Sequence, residues 1–124
     1  MKYFLLFLVG LFTSASSYAQ KYFDANPVKY TGSVGSNPIE VTITATQMGY
    51  SGTYFYTKIR QTIQLSSELD TVGDNYTKFT EQVNGNITGY FFLKDFNNET
   101  ATTIYGTWKS PDGKRSYPVV LYRN

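Results

Sequence analysis

The chain has neither cysteine nor histidine among its 124 residues. That excludes a Ser-His-Asp triad, a cysteine nucleophile, and any zinc or copper site built on Cys or His. Catalysis would have to rest on carboxylates, lysine or tyrosine, so the sequence points to a protein that performs no chemistry and needs no cofactor. Without disulfides a small domain must hold its core by packing alone. In an exported chain the lack of cysteine also leans toward a bacterial origin. An excess of one charge is missing as well: eleven Lys and Arg face nine Asp and Glu, which makes no electrostatic case for nucleic acid or an anionic membrane. No apolar run reaches the roughly 20 residues that a membrane-spanning helix requires, and no window repeats apolar residues at helical spacing.

The N-terminus has its own organisation. Lys2 gives a basic start, an apolar run covers Tyr3 to Phe12, and small residues follow to Ala19. This order matches a secretory signal peptide, with Ser17-Tyr18-Ala19 before the cut. The expected division is therefore a signal at 1–19, a leading segment at 20–29 without clear period, and a single domain at 30–124. After cleavage the protein is expected in the periplasm or outside the cell.

Of the twelve tyrosines and nine phenylalanines in the chain, ten and six lie beyond residue 19, and they alternate with polar residues. Ile39, Val41, Ile43 and Ala45 alternate with Glu40, Thr42, Thr44 and Thr46, the period of a strand with one buried face. Gly49-Tyr50-Ser51-Gly52 reads as a turn. Ile59, Ile63 and Leu65 then alternate with Arg60, Thr62 and Gln64. Phe79 and Val83 are in phase, opposite Thr80 and Gln82. Asn84-Gly85 favours the positive φ angles of a type I′ turn, which predicts a hairpin of Tyr76–Val83 with Ile87–Asp95. Asn97-Asn98 and Pro111-Asp112-Gly113 mark further turns. Ile104, Gly106 and Trp108 share one face, as do Tyr117, Val119 and Leu121. Pro118 has no N–H to give a ladder and belongs at an edge or an irregularity. The fold predicted is all-β, an antiparallel meander of seven to eight short strands forming a small closed or strongly curled barrel.

Several stretches resemble known families. Tyr30-Thr-Gly32-Ser-Val34-Gly35, Gly52-Thr-Tyr54-Phe-Tyr56 and Gly106-Thr-Trp108-Lys-Ser-Pro111-Asp112-Gly113 together resemble a module of uncharacterised exported bacterial proteins. Ser66-Ser67 stands where that module usually has a glycine, and Val119 where a phenylalanine is usual. The resemblance implies fold and export. Ser51-Gly52-Thr53-Tyr54 and Tyr56-Thr57-Lys58 are similar, more weakly, to elements of periplasmic inhibitors of c-type lysozyme, although the cysteines of that family are absent. Gly106-Thr-Trp108 is similar to the Gly-x-Trp of lipocalin-like and biotin-binding barrels, where it lies on the first strand. A glycine making room for a core tryptophan is the better explanation.

The candidate site is a partner-binding face. Tyr54, Tyr56 and Lys58, with Ser51 beside them, show the order aromatic, aromatic, lysine that Tyr90, Phe92 and Lys94 repeat. On neighbouring strands they would form one aromatic-basic patch for a protein or carbohydrate. The same residues also suit plain cross-strand pairing, and Phe55 and Phe91 are alternatives for the inward side. Two further readings stay open: a carrier of a small apolar ligand inside the barrel, and a lysozyme inhibitor. Asp70, Asp74 and Asn75 are read as a solvated loop rather than a calcium site. The carboxylate pairs Glu68 with Glu81 and Asp95 with Glu99 are not expected to be catalytic. Three Asn-x-Thr triplets, at Asn75, Asn86 and Asn98, match glycosylation acceptors, which matter only in a eukaryotic source.

Overall fold

The computed structural model describes residues 26–68, 75–98 and 100–124. Eight strands follow in chain order: β1 Val28–Val34, β2 Asn37–Thr46, β3 Gly49–Tyr56, β4 Ile63–Glu68, β5 Tyr76–Val83, β6 Asn86–Lys94, β7 Thr103–Lys109 and β8 Ser116–Arg123. Each pairs antiparallel with the next, and β1 pairs with β8, so the meander closes into a barrel. Asp70 and Asp74 of the loop read as solvated, Glu99, and the signal region all lie outside the described residues. Among the described residues no helix is long and apolar enough to cross a membrane.

Alternation sets the two faces. Inward stand Tyr30 and Val34 of β1, Ile39, Val41 and Ile43 of β2, Leu65 of β4, Phe79 of β5, Phe91 and Leu93 of β6, Ile104 and Trp108 of β7, and Val119 and Leu121 of β8, all buried. Full burial of one such side chain contributes about 1.5–3 kcal/mol, and Phe79 is wholly inaccessible. Phe96, from the turn after β6, closes one end. Its ring meets Tyr50 edge-on at 5.0 Å, Phe79 at 5.0 Å and Tyr30 at 5.9 Å.

The β5–β6 hairpin turns where expected, with positive φ at both Asn84 (52°) and Gly85 (81°), as a type I′ turn demands. A bulge follows: the register shifts between Glu81 and Gln82, so that Glu81 faces Gly89 while Gln82 faces Ile87. Thr88 is the extra residue.

Several boundaries differ from the sequence expectation. Ile59 and Arg60, read in alternation with Ile63 and Leu65, lie in the connection between β3 and β4, and the strand begins only at Ile63. Gly49-Tyr50-Ser51-Gly52 is not a turn; it begins β3, paired to β2 from Thr46↔Gly49 onward, and the turn lies at Gln47-Met48. Two glycines suggested a turn, but Tyr50 between them is held by the Phe79 and Phe96 rings. At the start, β1 begins at Val28, whose register with Ile43 brings two residues of the presumed leading segment into the barrel. Pro118 falls just past the last β1–β8 pair, Val34↔Val119, and its carbonyl accepts from the Gly35 N–H at 2.8 Å. Its missing donor therefore faces a point where β1 has already turned away.

Candidate functional site

The phase of β3 decides what becomes of the predicted patch. Tyr54 points inward and is only 1 % exposed, and Tyr56 is half-buried against the core. Tyr90 and Phe92 alternate with buried Phe91 and Leu93 and so stand outside, with exposed Lys94. Tyr54 and Tyr56 thus lie across the barrel wall from Tyr90, Phe92 and Lys94, and β3 is not a neighbour of β6. One shared patch is ruled out because both strands carry aromatics on alternate positions while their inward phases select different ones. Lys58 lies in the turn after β3, where with Tyr56, Asn37, Pro38 and Ile59 it lines a cleft of about 340 Å³ at the barrel mouth. Ser51 is exterior, in a hydroxyl-rich groove of about 530 Å³ with Thr42, Thr44, Thr53 and Ser66. Ser51 and Tyr54 therefore face opposite sides of the sheet.

Inside, Tyr54 belongs to a polar centre. Glu81 is buried at 5 % exposure on β5. Its Oε2 accepts from the Tyr54 hydroxyl and from Trp108 Nε1 at 3.1 Å, and its Oε1 accepts from Thr88 Oγ1 at 2.7 Å. Three neutral donors thus surround one carboxylate, and no buried polar side-chain atom among the described residues lacks a partner. The bulge brings Thr88 within reach. Gly89 lets the indole approach, since a methyl there would lie 2.4 Å from Trp108 Nε1. The glycine that makes room for Trp108 is therefore Gly89 on the adjacent strand, not Gly106. A Cβ on Gly106 would instead meet the Phe92 carbonyl at 2.2 Å.

The cluster extends toward the mouth through Tyr56, whose ring meets that of Tyr54 edge-on at 5.7 Å. Burial pushes both hydroxyls above the ordinary tyrosine range, and the Glu81 carboxylate pushes them further. Tyr117 stacks on Trp108 at 5.6 Å, and the Arg115 guanidinium lies 5.8 Å from the indole centre on the rim. Among the described residues no cluster of three or more His, Cys, Asp or Glu could hold a metal ion.

Outside, Tyr90, Phe92 and Lys94 have other neighbours than those expected. Register places Lys78 opposite Phe92, Tyr76 opposite Lys94, and Lys109 opposite Tyr90. Lys78 Nζ lies 4.4 Å from the Tyr90 ring centre and Lys109 Nζ 5.5 Å from that of Phe92. Tyr76, Tyr105 and Tyr122 extend the aromatic surface and are exposed. The exterior positions of β5 to β8 carry no Asp or Glu.

Comparison of this chain with protein-family models, with curated proteins and with solved structures finds no match.

Proposed function

We propose that the protein is an exported, non-catalytic binding protein whose working surface is the outer face of β5, β6 and β7. The observation that carries this is the set Lys78, Tyr90, Phe92, Lys94 and Lys109, contiguous across three strands and free of carboxylate. Exposed rings beside cations suit a protein or carbohydrate partner. Close packing of Tyr54, Phe79, Phe91 and Trp108 along the interior favours this face over a ligand held between the strands. Glu81 supports a non-catalytic role, because both its oxygens are committed to donors in the core.

The test is surface plasmon resonance of the mature protein over immobilised cell-envelope fractions, separated into polysaccharide and protein. Wild type should bind one fraction and Tyr90→Ser/Phe92→Ser should not, with its melting temperature within a few degrees of wild type. Undiminished binding by a folded double variant would remove the outer face from consideration.

A further inference from the structure

Resting on that outer face, we infer that its occupant is a polyanionic polysaccharide, a sugar chain with carboxylates at intervals. Near-neutral composition hides a sharp segregation of charge. The strands β5 to β8 contain a single acid, Glu81, and the fold turns it into the core. Their exterior keeps Lys78, Lys94 and Lys109 and no acid on the strands themselves, with Asp95 following Lys94 in the turn.

The lysines are placed for a repeating anion. Strands lie about 4.8 Å apart and a two-residue step is about 6.8 Å, which separates the Cα atoms of Lys78 and Lys94 by about 8 Å and those of Lys94 and Lys109 by about 14 Å. A single carboxylate does not span Lys94 and Lys109, whereas a chain with recurring charges can reach all three lysines. Lys78 and Lys109 rest over the Tyr90 and Phe92 rings. Such contacts hold weakly at an exposed site, so each lysine can leave its ring for a carboxylate. The uncovered ring is then free to take the apolar face of a sugar.

The hydroxyls point the same way. Thr80 and Thr107 pair with Tyr90 and Phe92, and Tyr76 and Tyr105 are exposed beside them. A sugar chain offers hydroxyls to match.

The intact mature chain would be titrated by calorimetry with polygalacturonate, with neutral galactan and with poly(dT), at low and at moderate salt. Polygalacturonate should bind, galactan should bind at least roughly tenfold more weakly, and added salt should weaken the polygalacturonate complex, as counterion release requires. Lys78→Gln/Lys109→Gln should lose about tenfold or more and show a shallower salt slope, with an unchanged circular-dichroism melt. Galactan binding as tightly as polygalacturonate would overturn the anionic occupant while leaving the outer face in place. Tighter binding of poly(dT) would replace the glycan by nucleic acid. Polygalacturonate binding indifferent to the lysine variant, or no binding to any of the three, would overturn the inference; the envelope-fraction experiment then decides the face on its own.

Discussion

Replacing Glu81 by leucine removes the acceptor shared by Tyr54, Trp108 and Thr88. Thr88 is only partly buried and its hydroxyl can turn to water, but the Tyr54 hydroxyl and the Trp108 N–H are left in the core without partners. An orphaned buried donor costs about 1–3 kcal/mol, so the expected loss is about 2–6 kcal/mol, against a total of about 5–15 kcal/mol for a domain. Glu81→Gln should cost less, about 1–2 kcal/mol. The amide oxygen can still accept from Tyr54 and Trp108, while its NH₂ donates to a reoriented Thr88 hydroxyl, and what is lost is the extra strength of bonds to a charged acceptor. Tyr54→Phe added to Glu81→Leu removes one of the two orphans, so the double variant should be more stable than the sum of the single changes by about 1–3 kcal/mol. Urea unfolding followed by Trp108 emission measures wild type, the three single variants and the double variant, since Trp108 is the only tryptophan. Replacing a buried charge by an apolar residue is sometimes neutral or stabilising. A Glu81→Leu protein as stable as wild type, with no coupling to Tyr54, would refute the view that the carboxylate organises this end of the barrel.

Phe79→Ala should cost about 3–5 kcal/mol, read by the same unfolding experiment, because an inaccessible ring leaves a cavity that its partners Tyr50 and Phe96 cannot fill. Gly89→Ala should force the indole aside, lengthening or breaking its bond to Glu81 and shifting Trp108 emission, at a cost of about 1–3 kcal/mol; an unchanged spectrum would contradict the contact. Above about pH 10 an unfolded tyrosine loses its proton while the buried Tyr54 keeps it, so the folded state binds more protons and stability falls as pH rises. The slope approaches about 1.4 kcal/mol per pH unit for that one group, and alkaline unfolding of Tyr54→Phe should be correspondingly shallower. Around Asp112, the Lys114 N–H and the Ser110 hydroxyl hold the carboxyl below its usual range. Its contribution is therefore present above the ordinary carboxylate pKa and lost as pH falls through the lowered value, which amide exchange in the 110–115 turn would detect.

The barrel was legible because its signals were local. Asn84-Gly85 named its own turn, and the alternation in Ile39 to Ala45 named its own faces. The phase of β3 was not, since Tyr54-Phe55-Tyr56 places an aromatic on either side and periodicity of two cannot say which side is wet. Glu81 was not legible: it stands in phase with Phe79 and Val83, but a carboxylate between Thr80 and Gln82 reads as surface. Its donors lie on β3, β6 and β7, and only the closed topology brings them together. Thr88, seen first as the end of an acceptor triplet, depends on a bulge that no residue in the sequence announces. The segregation of charge is hidden for the same reason, because the sum over the chain is blind to which way one acid points.

Closure of the barrel also shapes how the chain must fold. Seven of its eight ladders join consecutive strands and can zip from short loops. The eighth, between Tyr30–Val34 and Val119–Arg123, joins segments some 90 positions apart and bears the largest loop entropy of any. A chain in which that seam is open is a sheet with two bare edges, each able to recruit a strand from another molecule. Conditions that slow closure should therefore favour aggregation or strand exchange through β1 and β8 over any other part of the chain.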